Sequence, residues 1–132
     1  MRKITLPALL ILLLYACATE PRTLNDISSD LPVERYFRLA QEAADRGRFN
    51  LAILYYQKIY ELFPTDVRRI TAAEYGEALI HFRLGRFDEA EALFRAIIAR
   101  FNNPVFGPRF GPNDRWILVL SQARLADIEA RR

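Results

Sequence analysis

Apolar residues recur at helical spacing along most of the chain. Two runs share the same steps of three and four residues, which places the apolar positions of each run on one face of a helix. The first run is Phe49, Ala52, Tyr56, Ile59 and Phe63, and the second is Phe87, Ala90, Phe94, Ile97 and Phe101. A shorter apolar stripe precedes each run. The pattern therefore predicts two pairs of helices.

The two predicted helix pairs repeat in sequence as well as in pattern. Gly47-Arg48-Phe49 aligns with Gly85-Arg86-Phe87, an offset of 38 residues. Each glycine lies where one apolar stripe ends and the next begins, which indicates a turn between two helices. Each unit is therefore predicted to be helix, glycine-containing turn, helix.

A fifth helix is predicted near the end of the chain. Pro112 is followed by Asn113 and Asp114, either of which can start a helix that runs to about residue 130. We expect one apolar face of this helix to pack on the second repeat as a cap. That face consists of Trp116, Val119, Leu120, Ala123 and Ala126.

The repeated unit resembles the tetratricopeptide repeat, which has a small residue midway along its first helix, a Gly turn, an aromatic residue and a closing Pro. Residues 33–66 match nearly the whole pattern, with Ala40, Gly47 and Pro64 in place. Residues 71–104 match less fully, because Glu74 and Glu77 occupy places that the family fills with bulky apolar residues, so we expect a rotated helix or a polar neighbour there. The resemblance implies an all-α domain over residues 33–132, with repeats at about 33–66 and 71–104 and a capping helix at about 114–130.

A partner-binding groove is implied by the same resemblance, because the first helices of tetratricopeptide repeats line a concave surface that holds a peptide or a helix. Aromatic and arginine side chains are typical binding anchors. The aligned positions here are Phe37, Gln41, Ala44, Asp45, Tyr75, Leu79, Phe82 and Arg83. Tyr75 and Phe82 could instead belong to the core of so short a stack.

The segment 103–113 is a second candidate for partner binding. It contains three Pro and two Gly, which forbid a helix. Phe106 and Phe110 in this loop either pack on the last helix or are offered to a partner.

Residues 1–16 have the pattern of a signal peptide. Arg2 and Lys3 precede thirteen uncharged residues, a run too short for the ~30 Å hydrocarbon layer. The sequence Leu14-Tyr15-Ala16-Cys17 resembles the bacterial lipobox, although Tyr15 replaces a small residue. The resemblance implies that Cys17 carries acyl chains such as palmitate and becomes the new N-terminus. A plain secretory signal or an uncleaved anchor is the alternative.

Residues 17–32 are predicted to form the lipidated cysteine and a flexible tether, because they are rich in polar residues and proline. Ala18 follows Cys17, where the inner-membrane retention signal of enterobacteria has Asp. The expected location is therefore the outer membrane, on its periplasmic side.

Charge and candidate chemistry narrow the function further. The formal net charge is +3, and removal of Arg2 and Lys3 with the leader leaves 17 basic against 16 acidic side chains, which gives no electrostatic case for nucleic acid. His81 shares a helix face with Glu77 and Glu74, but a metal site would need further ligands. No nucleophile motif or phosphate-binding loop is present. We expect no catalytic residues, no metal and no cofactor.

These observations predict a lipid-anchored adaptor of the cell envelope that binds a protein or peptide partner. The chain also distantly resembles the repeat portion of outer-membrane assembly lipoproteins, which implies an envelope assembly machine as its setting. Two alternatives remain. One is a structural homodimer with no separate client, since two repeats make a thin stack. The other is a small exported enzyme built on Glu74, Glu77 and His81.

Overall fold

The computed structural model describes residues 20–132. Within them lie five α-helices, which we number in chain order, and no β-strand. The helices are α1 (Val33–Asp45), α2 (Phe49–Leu62), α3 (Val67–Arg83), α4 (Phe87–Asn102) and α5 (Arg115–Glu129). The predicted all-α fold of two helix pairs and a last helix is confirmed. The predicted signal peptide and Cys17 lie outside the described residues.

Gly47 and Gly85 turn the chain back on itself after α1 and α3. Both have positive φ, +74° and +72°, a conformation that side chains with a Cβ rarely adopt. After each glycine, an arginine N–H donates to a carbonyl five residues earlier, from Arg48 to Ala43 at 2.8 Å and from Arg86 to His81 at 2.9 Å. This is the Schellman helix ending. It explains why the sequence places glycine twice at the same point of the repeat.

The second helix pair begins earlier than the predicted boundary at 71. Helix α3 starts at Val67, where the Asp66 side chain accepts a hydrogen bond from the Arg69 N–H at 3.1 Å. Helix α3 has 17 residues and α1 has 13. The four extra residues make about one helical turn. The starts of α1 and α3, Val33 and Val67, are 34 residues apart, so this extra turn accounts for the offset of 38 residues between the glycines.

The described residues form a core of two buried clusters that meet at α3. The first lies between α1 and α2, with Tyr36 and Ile59 fully buried, and α3 adds Ala73 and Ile80 to it. The second lies between α3, α4 and α5, and Tyr75 of α3 belongs to it. One helix therefore holds both halves of the domain together.

Residues 20–32 are folded against the first helix pair, in contrast to the flexible tether that the sequence predicted for them. Ile27 is 4% exposed and belongs to the first cluster. The Tyr36 hydroxyl donates to the Ser28 carbonyl at 2.7 Å and accepts from the Leu31 N–H at 3.2 Å. The difference arises because a single isolated apolar residue finds a buried place that no periodic pattern reveals. Residues 17–19 of the predicted tether lie outside the described part.

The predicted packing face of α5 is wrong. Trp116, Val119 and Leu120 are 51%, 59% and 41% exposed, and Ala123 and Ala126 are exposed too. The helix instead packs through Ile117, Ser121 and Ile128, which are buried. Helix α5 carries apolar residues on both sides, so polarity alone could not decide which side packs inward. Its outer face is left apolar and uncovered by the described residues.

Candidate functional site

A groove of about 420 Å³ opens between α1 and α3. Tyr56 of α2 and Trp116 at the start of α5 close two of its sides. Its volume falls within the range of about 300–1,000 Å³ that is usual for ligand pockets. The lining residues are Phe37, Gln41, Ala44, Asp45, Tyr56, Ala72, Tyr75, Gly76, Leu79, Ile80, Arg83 and Trp116.

The structure brings together seven of the eight residues predicted for the groove. They are Phe37, Gln41, Ala44, Asp45, Tyr75, Leu79 and Arg83. Tyr75 is also largely buried, so it serves both the groove wall and the core. The role of these residues in partner binding stays a prediction.

Phe82 is the exception, because it does not line the groove. Its ring lies edge-on to Phe87, with centroids 5.6 Å apart. The guanidinium groups of Arg124 and Arg131 lie over it at 5.4 and 5.5 Å. Phe82 lies at the edge of the groove face of α3, and its ring turns toward α5 and the start of α4. It therefore helps to dock α5.

Trp116 and Tyr56 also line the groove, which their sequence pattern does not predict. The Trp116 ring meets Tyr75 edge-on, with centroids 5.3 Å apart and the planes at 90°. The apolar periodicity predicts Trp116 for a packing face of α5 and Tyr56 for the core stripe of α2. No sequence signal distinguishes such wall residues from core residues.

Gly76 forms part of the groove floor and had a sequence signal, since glycine inside a helix often marks a close approach. A Cβ at this position would lie 2.3 Å from Cζ of Tyr56. The Tyr56 ring therefore fits against α3 only because residue 76 has no side chain.

Gly76→Ala is expected to lower the free energy of unfolding by about 1–2 kcal/mol, because overpacking costs more than the gain in helix propensity. Urea unfolding of the variant and the parent would measure this. In a Tyr56→Leu background the ring is gone, so the same change should become stabilising. If Gly76→Ala stabilises both backgrounds equally, the Tyr56 ring does not depend on the glycine.

Charged side chains lie at the rims of the groove and leave its middle apolar. Asp45 and Arg83 are exposed at one end, where the Arg83 guanidinium lies 5.0 Å from the Phe49 ring centroid. Beyond the other end, Arg68 makes two hydrogen bonds to Asp114, at 2.9 and 3.0 Å. Burial raises the pKa of the Asp114 carboxyl, but the hydrogen bonds from Arg68 and from the Gly111 N–H lower it by more. The pKa therefore lies below its usual value. The groove is suited to a segment with apolar and charged side chains.

Glu74 and Glu77 contact polar neighbours. This is one of the two arrangements that the sequence predicts for them, the other being a rotated helix. Arg100 of α4 binds the Glu74 carboxylate, with Nη2 3.0 Å from Oε1, and also donates to the Thr71 hydroxyl at 2.9 Å. The Tyr60 hydroxyl donates to Glu77 Oε2 at 2.8 Å. Burial and the Glu77 charge raise the pKa of Tyr60, which keeps it protonated as the donor. Both carboxylates therefore have partners that join α3 to α2 and α4.

His81 lies beside this pair, with Nε2 3.9 Å from Oε1 of Glu77. The residues from 20 to 132 contain no group of three or more His, Cys, Asp or Glu side chains that could hold a metal ion.

The two loop candidates differ in their surroundings. The Phe110 ring stacks on Phe101 at 3.9 Å, with 21° between the planes. Phe106 is 38% exposed, and the Arg109 guanidinium lies 5.8 Å from its ring centroid. Phe110 thus packs on α4, whereas Phe106 is available to a partner.

The tetratricopeptide repeat family matches residues 33–66, which contain α1 and α2. These residues are a tetratricopeptide repeat. The repeat supports the binding of a protein partner. The match ends where α3 begins. The second helix pair is therefore supported by the structure and by the internal repeat of the sequence, and α5 by the structure.

A relative of the chain is an uncharacterized protein of Treponema pallidum (strain Nichols). It is 30% identical over 88 residues, which are 67% of this chain and 35% of the relative. The chain thus spans about a third of the length of this relative. No solved structure matches the chain. None of the helices described in residues 20–132 is long and apolar enough to cross a membrane.

Proposed function

We propose that this protein is a lipid-anchored tetratricopeptide adaptor of the bacterial cell envelope that binds a protein or peptide partner in its groove. The groove between α1 and α3 carries the proposal, because its walls come from the first helices of both repeats. The tetratricopeptide repeat at 33–66 supports a partner that is a protein.

The chemistry of the groove indicates what the partner presents. Phe37, Tyr75 and Trp116 offer aromatic surface in its middle, suited to an aliphatic or aromatic side chain. Asp45 and Arg83 at one rim can each pair with an opposite charge. We infer an amphipathic segment with one apolar anchor and flanking charges, bound as a helix or an extended peptide.

The location rests on the sequence. The resemblance of residues 14–17 to a lipobox supports acylation of Cys17, and Ala18 supports the outer membrane, facing the periplasm. The distant resemblance to outer-membrane assembly lipoproteins supports an envelope assembly machine as the setting. Residues 20–32 fold against α1 and α2, so an anchor at Cys17 would hold the domain close to the membrane surface.

Photocrosslinking in cells tests the groove. A photoreactive residue at Gln41, exposed in the groove, should capture one dominant envelope protein. The matched control is Arg38, exposed on the same helix outside the groove. Arg83→Glu, introduced into the chain with the photoreactive residue at position 41, should lower the yield of captured partner at least fivefold with unchanged helix content. Equal capture at the two positions, or none at Gln41, would reject the groove, and capture of the chain by itself alone would favour a homodimer without a client.

A further inference from the structure

The outer face of α5 carries large apolar side chains in its first half and small ones in its second half. Trp116, Val119 and Leu120 are the exposed apolar residues of its first two turns. Toward the other end the same face carries three exposed alanines, Ala123, Ala126 and Ala130. These positions repeat at steps of three and four residues, which is the spacing of two helices that pack side by side.

We propose that a second copy of this chain covers this face, with the two α5 helices antiparallel. A two-fold axis near Ser121 places Trp116 against Ala126 of the second copy and Val119 against Ala123 of the second copy. Trp116 and Val119 thus each meet a small side chain, which is how close-packed interfaces fill space. A parallel pair would instead set Trp116 against Trp116.

Charge complementarity supports the same orientation. Arg115 flanks the face at the start of α5 and Glu129 flanks it at the end. The antiparallel pair brings Arg115 of each copy near Glu129 of the other, and a parallel pair brings like charges together. Arg115 is exposed and makes no ion pair within residues 20–132. Glu129 accepts a hydrogen bond from Arg95 at 3.1 Å and is 56% exposed, so it can accept a second.

The small area that one pair of α5 helices can bury points to weak association, although the apolar outer face favours a cover. One helix pair buries an area at the low end of protein interfaces, below about 1,200 Å². The end helix of a repeat stack usually has a polar outer face, which α5 lacks. The dimer is thus expected to form at high local concentration, such as two copies held on one membrane.

Sedimentation of the full chain tests the proposal. Cys17→Ser removes the only thiol and with it any acyl chain. The dimer fraction should rise with concentration, and Val119→Glu should weaken dimerisation at least tenfold. Val119 is 59% exposed, so its replacement leaves the core intact, and circular dichroism would verify this. Ala99→Glu, at an exposed site on α4, is the matched control and should not matter. A monomer at every concentration, or unchanged behaviour of Val119→Glu, overturns the proposal.

Disulfide crosslinking in the Cys17→Ser chain tests the orientation. Leu120→Cys should crosslink to itself, because residue 120 is the position of the exposed face that lies nearest the two-fold axis. Arg115→Cys mixed with Glu129→Cys should crosslink more than either variant alone. If each variant instead crosslinks to itself more than to the other, the helices are parallel and the antiparallel arrangement is overturned. These variants leave the groove residues unchanged, so a failure here and a failure of groove capture are distinguishable.

Discussion

Replacing Cys17 with serine is expected to move the protein from the membrane fraction to the soluble periplasmic fraction of a Gram-negative host. Each buried methylene of an acyl chain contributes about 0.8 kcal/mol, so one chain of roughly 14 methylenes supplies about 11 kcal/mol. Serine cannot form the thioether. Fractionation and intact-mass measurement of the protein would follow the change, because the variant carries no lipid mass.

Two neighbouring substitutions serve as controls for the anchor. Ala18→Asp keeps Cys17 and should leave the protein acylated but shift it toward the inner membrane. Tyr15→Ala restores a small residue to the lipobox and should not reduce processing. If the parent protein carries no acyl mass and fractionates like Cys17→Ser, then Cys17 is not an anchor and the leader is a plain signal or an uncleaved segment.

Arg100→Met is expected to lower the free energy of unfolding by about 2–3 kcal/mol. The substitution leaves the Glu74 carboxylate, 16% exposed, without its partner. Breaking a fully buried ion pair costs roughly 3–5 kcal/mol, and the smaller value follows because Arg100 is 20% exposed. Thr71 still donates to the Val67 carbonyl at 2.7 Å, so its hydroxyl stays paired. Urea unfolding measures the difference.

Replacing both partners distinguishes the pair from simple loss of volume. Glu74→Leu with Arg100→Met should bring stability to within about 1 kcal/mol of the parent, because an apolar pair fills the same space without an unpaired charge. Leucine also suits a position that tetratricopeptide repeats fill with bulky apolar residues. Arg95→Met, at an exposed pair on the same helix, should cost less than about 1 kcal/mol. If Arg100→Met is as stable as the parent, the ion pair does not hold α3 to α4.

Much of the fold and of the groove could be predicted from periodicity. Helical spacing determined which faces of α2 and α4 are buried, and the repeated glycines marked both turns. Alignment of the repeats then placed Phe37 and Tyr75, and with them Gln41 and Leu79, at equivalent points of the groove. Local physics dictates these features, since a helix has a fixed period and a Schellman ending requires positive φ.

The remaining errors occur where the answer depends on what a residue packs against. In α5 the buried positions include a polar residue, Ser121, while Val119 lies outside. Ile27 is isolated in sequence, and only the structure shows the site that it fills. Phe82 lies at the edge of the groove face, and the proximity of α5 decides which way its ring turns. No pattern within one helix contains this information.

The indole of Trp116 gives the protein an optical signal of its own. It is the only tryptophan in the chain, it is half-exposed, and it stands edge-on to Tyr75 in the groove wall. A segment that enters the groove would remove water from the indole, and its emission would shift to shorter wavelength. Because dimerisation through α5 would act on the same ring, titrations belong in the Val119→Glu background. Partner peptides can then be compared on unlabelled protein, one fluorophore reporting one event.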